Sequence, residues 1–188
     1  MRNFYISDTH FGHENIIRFD KRPFRDTEEM EEELIRRWNS VVEKGDTVYI
    51  LGDFCWTTED EWIRILKKLN GQKVLISGNH DRNPTGKLRK LLQDVKEYKE
   101  ITDNGRHVIL SHYPILFYKS AYNKDNYMLC GHIHTTREND FLNEWRAQLR
   151  ETRRHPGDSY GNIINVGCMM PYMDYTPRTL DELIEAVL

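Results

Sequence analysis

An α/β domain is the fold class that the sequence predicts, and three observations predict it. In the first half, short apolar runs alternate with segments of helical periodicity, whereas strand-like runs dominate the second half. Each apolar run then stops at a short polar loop. The chain has 188 residues, close to the usual length of about 150 residues per domain, so we expect a single domain over residues 1–188. With 38% apolar and 30% charged residues the composition is polar but well outside the disordered range.

The elements follow in order. Residues 2–7 form a β-rich run that stops at Ser7-Asp8, and the irregular segment up to Phe24 reads as a functional loop. Asp26 followed by Glu29 fits a capping box, and Met30, Leu34, Trp38 and Val41 recur at helical spacing through about Val42. Thr47 to Leu51 is a continuous apolar strand closed by Gly52-Asp53. Trp62, Ile65, Leu66 and Leu69 mark a second helix ending at Asn70-Gly71, and Lys73 to Ser77 is a strand ending in Gly78-Asn79-His80-Asp81. A Lys-rich helix is expected over 85–94, with β-like runs over 96–102, 106–111, 127–130 and 161–166. Phe141, Leu142, Trp145 and Leu149 suggest one more amphipathic helix, and Leu180, Leu183, Ile184 and Val187 a last one.

Charge and composition exclude several function classes. With 27 Lys plus Arg against 30 Asp plus Glu, a formal charge of -3, there is no bulk field for polyanions, so nucleic-acid and membrane-surface binding are disfavoured. The apolar runs are far shorter than the roughly 20 residues that span a bilayer. The N-terminus reads as a first strand and not a signal peptide, which makes cytoplasmic residence the default. Cys55, Cys130 and Cys168 are scattered singly, as suits reduced thiols better than disulfides or a zinc-thiolate site.

The informative pattern lies at the strand ends. Asp8-Thr9-His10, Gly52-Asp53, Asn79-His80, His112 and His132-Ile133-His134 each follow an apolar run. In open α/β sheets the carboxyl ends of strands line the ligand crevice, so these residues converge there. Each piece alone is an ordinary turn or histidine. Together they place five of the eight histidines in strand-end loops and offer carboxylate, imidazole and amide donors. That mixed N/O set suits Mn²⁺, Fe, Zn²⁺, Ni²⁺ or Mg²⁺, and two ions are the natural count for seven ligands with one shared.

The ordered set, from Asp8 to His134, resembles the calcineurin-like metallophosphoesterases, in particular their small single-domain bacterial members. The resemblance implies a four-layer α/β/β/α sandwich of two mixed sheets flanked by helices, with a dinuclear centre at the strand ends. It also implies that Asp8, His10 and His134 bind one metal, Asn79, His112 and His132 the other, and that Asp53 bridges them. Manganese is the first expectation for both ions. A carboxylate is the one ligand type here with two charged oxygens free to reach two cations. Two cations about 3.5–4 Å apart can hold a water, lower its pKa and present hydroxide for in-line attack on phosphorus. His80 resembles the family's catalytic histidine, which stabilises the transition state or protonates the leaving oxygen.

Departures from the family pattern narrow the substrate. The phosphoprotein-phosphatase branch carries Gly-Asp-x-x-Asp-Arg and an Arg before Gly-Asn-His-Glu, whereas this chain has Gly52-Asp53-Phe54-Cys55-Trp56-Thr57 and Ser77-Gly78-Asn79-His80-Asp81. The phosphate-gripping arginines are absent at those places, which disfavours a protein phosphatase. The blocks around His10 and Asp81 look closer to the DNA-repair nuclease branch, whose capping domain 188 residues cannot contain. His13 could contact phosphate at the rim or cap a short helix. Arg18, Arg22 and Arg82 could clamp a phosphate or be solvated. Tyr113, Phe117, Tyr118 and Tyr122 could stack on a planar leaving group or pack onto the domain, and Arg146, Arg150 and Arg153 could extend an anion path or form a solvated face. The expected activity is hydrolysis of a small phosphodiester or phosphomonoester, nucleotide-derived esters included. A non-catalytic metal-binding scaffold and a single-strand nuclease are the alternatives.

Overall fold

The computed structural model describes residues 1–152 and 161–188. Arg153 and the stretch that follows it to Asp158 lie outside the described residues. The elements are β1 (Asn3–Ile6), α1 (Glu14–Phe19), α2 (Thr27–Val41), β2 (Thr47–Ile50), α3 (Glu59–Lys68), β3 (Gln72–Ile76), α4 (Gly86–Arg89), β4 (Asp94–Lys96), β5 (Tyr98–Asp103), β6 (Arg106–Ser111), β7 (Asn126–Cys130), α5 (Arg137–Glu151), β8 (Ile163–Asn165) and α6 (Leu180–Val187).

They build two four-stranded sheets, ordered β1-β2-β3-β4 and β5-β6-β7-β8. All neighbours in the first sheet are parallel, so it is not mixed as expected; the helical connections between its strands return the chain to the same edge each time. The second sheet is mixed, with β5 antiparallel to β6 and the remaining pairs parallel.

Burial shows the layering. Val108 and Leu110 of β6 join the core that also holds β1, β2, β3 and the apolar stripes of α2 and α3. Ile109 between them belongs to a second cluster with Met128, Cys130 and Leu142 of α5. Because successive side chains on a strand face opposite ways, the second sheet packs the first sheet on one face and α5 on the other. Its partner sheet is buried on both faces, which explains why β2 reads as an unbroken apolar run.

Local chemistry sets the element ends. Asp26 accepts from the Glu29 backbone N–H at 2.9 Å, but Glu29 turns its carboxylate to the Arg25 N–H, so the expected capping box is half formed. Met30, Leu34 and Trp38 then fall on one buried stripe of α2. Burying each such side chain contributes about 1.5–3 kcal/mol.

Three segments depart from the sequence expectation. The loop up to Phe24 contains α1, which periodicity could not reveal because only Ile16 of its six residues is buried while Phe19 faces solvent. The helix expected over 85–94 shrinks to α4, because Gln93 donates to the Lys73 carbonyl oxygen at 2.8 Å and draws the chain into β4 beside β3. Helix propensity yields there to tertiary pairing. The β-like run over 96–102 is interrupted at Glu97, where the chain leaves the first sheet as β4 and enters the second as β5.

Candidate metal centre

The carboxyl ends of β1, β2 and β3 meet those of β6 and β7 at one edge of the sandwich. Five of the residues there, Asp8, His10, Asp53, His132 and His134, have φ values between +43° and +71°. Left-handed backbone at non-glycine residues costs on the order of 1–3 kcal/mol each and concentrates at functional sites. Here it turns the side chains inward, and it is held by cross-loop bonds such as Asp8 N to Gly52 O and His10 N to Asp53 O, each 3.0 Å. Two glycines make room. A Cβ on Gly52, which sits at φ +86°, would collide with His112 Nδ1, and one on Gly131 would collide with Ser7 and the Asp8 carboxylate.

Asp8, His10 and His134 bring one donor atom each to within 4.8 Å of one another. His134 Nδ1 donates to Asp20 Oδ1 at 2.8 Å, which leaves Nε2 as a lone pair 3.4 Å from Asp8 Oδ1 when the ring is neutral. This carboxylate–histidine arrangement orients metal-ligating imidazoles. Burial lowers the His134 pKa, but the bonds to Asp20 and Asp8 overcome it and raise the ring to about 9. Burial likewise works to raise Asp8, and the His134 contact outweighs it, bringing the carboxyl to about 2. His10 is buried and its Nε2 has no hydrogen-bond partner. Burial takes its pKa down to about 3, so the ring is a neutral donor aimed into the site.

Asp53, His112 and His132 form the second group within the same 4.8 Å limit. His112 Nδ1 donates to the Leu51 carbonyl at 2.8 Å, so a neutral ring points the Nε2 lone pair at Asn79 Oδ1, 3.0 Å away. Two acceptors face each other there, a contact that a shared cation relieves. Asp53 joins the groups: its Oδ2 is 3.7 Å from His10 Nε2 and 3.6 Å from His112 Nε2. Ligand atoms roughly 2.0–2.2 Å from a common ion lie about 3–3.6 Å apart, so a divalent cation fits with small side-chain shifts. The orphaned His10 nitrogen and the facing acceptors at His112 and Asn79 make the residues fit two such ions.

The remaining sequence candidates divide. The His80 backbone N–H donates to Asp53 Oδ1 at 2.9 Å, and its exposed ring lies 6.0 Å from that of His10. His13 occupies the N-cap position of α1 without making a cap bond, and its ring lies 5.4 Å from His10. Arg82 is exposed beside the Asn79 loop, and the Tyr113 ring lies 4.6 Å from that of His132. Arg22 is a correction. It is buried, donates to the Thr9 and Asp8 carbonyls at 2.8 Å each and pairs with Asp20, so it braces the first loop and offers nothing to a substrate. Arg146 is also buried and bonds the Gly161 carbonyl, and Tyr118 bonds the Asn126 carbonyl inside the domain; the anion path and the stacking role do not extend to them.

Sequence reasoning missed four residues that shape the site. Asp20 orients His134, and Ser7 donates to Asp8 Oδ2 at 2.6 Å. Asp81 accepts from the backbone N–H groups of Asp53, Phe54 and Gly78 at 2.8–2.9 Å, clamping the loop after β3 to the loop after β2. Burial pushes its carboxyl up to about 6; the Gly78 and Phe54 N–H groups pull it down, and Asp53 adds to the rise. Trp56 stacks on His13 with 4.4 Å between ring centroids. Asp20 and Trp56 carried no spacing signal, whereas Asp81 stood inside a quoted motif.

The two sheets and these candidate metal-binding groups agree with the comparison with known proteins: residues 1–180 match the calcineurin-like phosphoesterase superfamily domain. The chain belongs to that superfamily, whose members are generally hydrolytic phosphoesterases and typically bind divalent metals. It is 37% identical over 154 residues to an uncharacterised protein of Methanocaldococcus jannaschii, covering 79% of this chain and 80% of that one. A crystal structure of a protein of unknown function from Aquifex aeolicus superposes with a TM-score of 0.70 at 28% identity, covering 98% of each chain. The nuclease MPE of Pseudomonas putida superposes with a TM-score of 0.45 at 24% identity, over 71% of this chain and 62% of that one. No helix among the described residues is long and apolar enough to cross a membrane.

Proposed function

We propose that the protein is a dinuclear metal-dependent phosphohydrolase that cleaves a phosphodiester or phosphomonoester. Asp8, His10 and His134 hold one divalent cation, Asn79, His112 and His132 hold the other, and Asp53 is shared. The observation that carries this reading is the Asp53 carboxylate, one oxygen of which lies 3.6–3.7 Å from a ring nitrogen of each group. Manganese is our first expectation for both ions, and the mixed nitrogen and oxygen donors suit iron, zinc, nickel or magnesium as well.

When bound, the cations supply an activated water and neutralise charge on the phosphoryl oxygens. The chain's own residues do the rest. Asp53 fixes the spacing of the two groups through one oxygen, while its other oxygen accepts from the His80 N–H and ties that residue to the ligand cluster. The His80 ring makes no hydrogen bond to the described residues and is exposed, so it is free to give a proton to the leaving oxygen. The buried imidazole of His10 and the oriented rings of His112 and His134 keep the donors close to their binding positions, so that only small side-chain shifts accompany binding.

The test is metal analysis of the wild type beside Asp53→Asn, together with the rate on bis-p-nitrophenyl phosphate. Two equivalents of metal and turnover in the wild type, both lost in the variant, support the reading. Full metal content and full rate in Asp53→Asn would sink it.

A further inference from the structure

Two aromatic side chains remain half exposed at the mouth of the metal centre, one beside each ligand group. Trp56 is 46% exposed, and its ring centroid lies 4.5 Å from His80 and 6.4 Å from His10. Tyr113 is 48% exposed, and its ring lies 5.1 Å from His112 and 4.6 Å from His132. Neither the indole N–H nor the phenol has a hydrogen-bond partner among the described residues, so both polar tips are open to solvent or ligand. Trp56 is nevertheless held firmly. Its backbone N–H donates to the Phe11 carbonyl at 2.8 Å, and its ring lies 12° from parallel with that of His13.

Beyond Tyr113 the chain runs straight into an apolar groove of about 520 Å³, whose lining includes Pro114, Leu116, Ile133, Phe141 and Trp145. Ile133 stands between the ligands His132 and His134, so the groove shares a loop with the metal centre. Glu138 and Glu144 are the charged groups on its lining, which makes it hostile to an anion. Cationic groups near the ligands are few. Arg22 is turned inside, Arg18 bonds Asn15, Arg137 lies over the Phe141 ring at the groove, and Arg82 is exposed beside the Asn79 loop. The rim therefore offers more π surface than positive charge. That suits a phosphate carrying one negative charge, with an uncharged planar group on each side, better than a phosphomonoester dianion or a polyphosphate.

Resting on the phosphohydrolase reading above, we propose that the substrate is a small phosphodiester with a planar, uncharged ring on both ester arms. The leaving arm, on the His80 side, stacks on Trp56. The retained arm passes over Tyr113 toward the groove.

The test fixes the leaving group and varies the retained arm: p-nitrophenyl methyl, p-nitrophenyl phenyl and p-nitrophenyl 1-naphthyl phosphate, given to the manganese-loaded protein. The wild-type kcat/KM is expected to rise about tenfold from methyl to naphthyl, carried by KM, and Tyr113→Leu to remove most of that preference. Trp56→Leu is expected to raise KM about tenfold for all three esters, with Trp56→Phe restoring most of it. A binding readout accompanies the rates. With the protein loaded with diamagnetic Mg²⁺ in place of manganese, diphenyl phosphate, but not dimethyl phosphate, is expected to shift the Trp56 indole N–H resonance, assigned with Trp56→Phe. A naphthyl-to-methyl ratio near one, a ratio unmoved by Tyr113→Leu, or an indole resonance indifferent to diphenyl phosphate would overturn the proposal. So would stronger competition by decathymidylate than by thymidylyl-thymidine, which points to a strand and not a small diester. Failure to release p-nitrophenolate from every ester with metal bound would instead strike the parent reading.

Discussion

Asp53 and Asp20 show how a carboxylate acquires a task from its surroundings. Asp53 sits at a strand end with φ +51° and reaches both ligand groups, a position legible in the sequence because Gly-Asp closes an apolar run. Asp20 reaches His134 from the C-cap of the short α1 and left no periodic trace. Its role is testable: Asp20→Asn is expected to weaken metal binding at the first group by 10–100-fold, read by titrating metal-free protein, and an unchanged affinity would show that the bond to His134 is incidental. His80→Ala is expected to keep both metals and lose turnover by about 10²–10⁴-fold. A near-normal rate on an ester with a poor leaving group would reduce His80 to a backbone prop. Arg22 teaches the limit of such reading. An arginine near a motif looks the same in sequence whether its guanidinium points out to a phosphate or, as here, in to the carbonyls of Asp8 and Thr9.

The elements position the site through their ends. The strands β1, β2, β3, β6 and β7 were all legible, and so were the loops after them, because an apolar run closed by glycine, acid or histidine is a strong local signal. The helix over 85–94 was misread because the pairing of β4 with β3 overrides Lys-rich helix propensity, a long-range effect that no local window contains. Loop geometry is equally non-local. Gly52→Ala would meet both a left-handed φ and the His112 ring, so it is expected to lower metal content and thermal stability together; normal metal binding would show that the loop can yield. Asp81→Ala leaves three backbone N–H groups without their acceptor. A loss of about 1–3 kcal/mol in chemical denaturation is expected, and no change would mean that water replaces the clamp.

For the whole molecule, the two sheets share one core and meet again at the site, where the His132 N–H donates to the Asp8 carboxylate across 124 residues of chain. Ions held between the sheets should therefore stabilise the entire domain. At about a hundredfold excess over Kd the linkage amounts to about 2.7 kcal/mol for each ion bound. In a chain of this size that corresponds to a rise in Tm of roughly 5–11 °C. Heating scans of metal-free protein with added Mn²⁺ check this, and a Tm indifferent to metal would mean that the ligand groups do not tie the sheets together. The layered fold followed from the family resemblance and not from composition, which could say only that one α/β domain was affordable at this length. The switch from one sheet to the other at Glu97 was invisible because both flanking strands read as one β-like run.

The most direct test of the central claim is hydrolysis of bis-p-nitrophenyl phosphate by metal-stripped protein as Mn²⁺ is added back, with Asp53→Asn alongside. The account predicts activity that appears with metal, saturates at two ions per chain and is absent from the variant. Turnover independent of metal, or two bound ions with no hydrolysis of any phosphate ester, would contradict it.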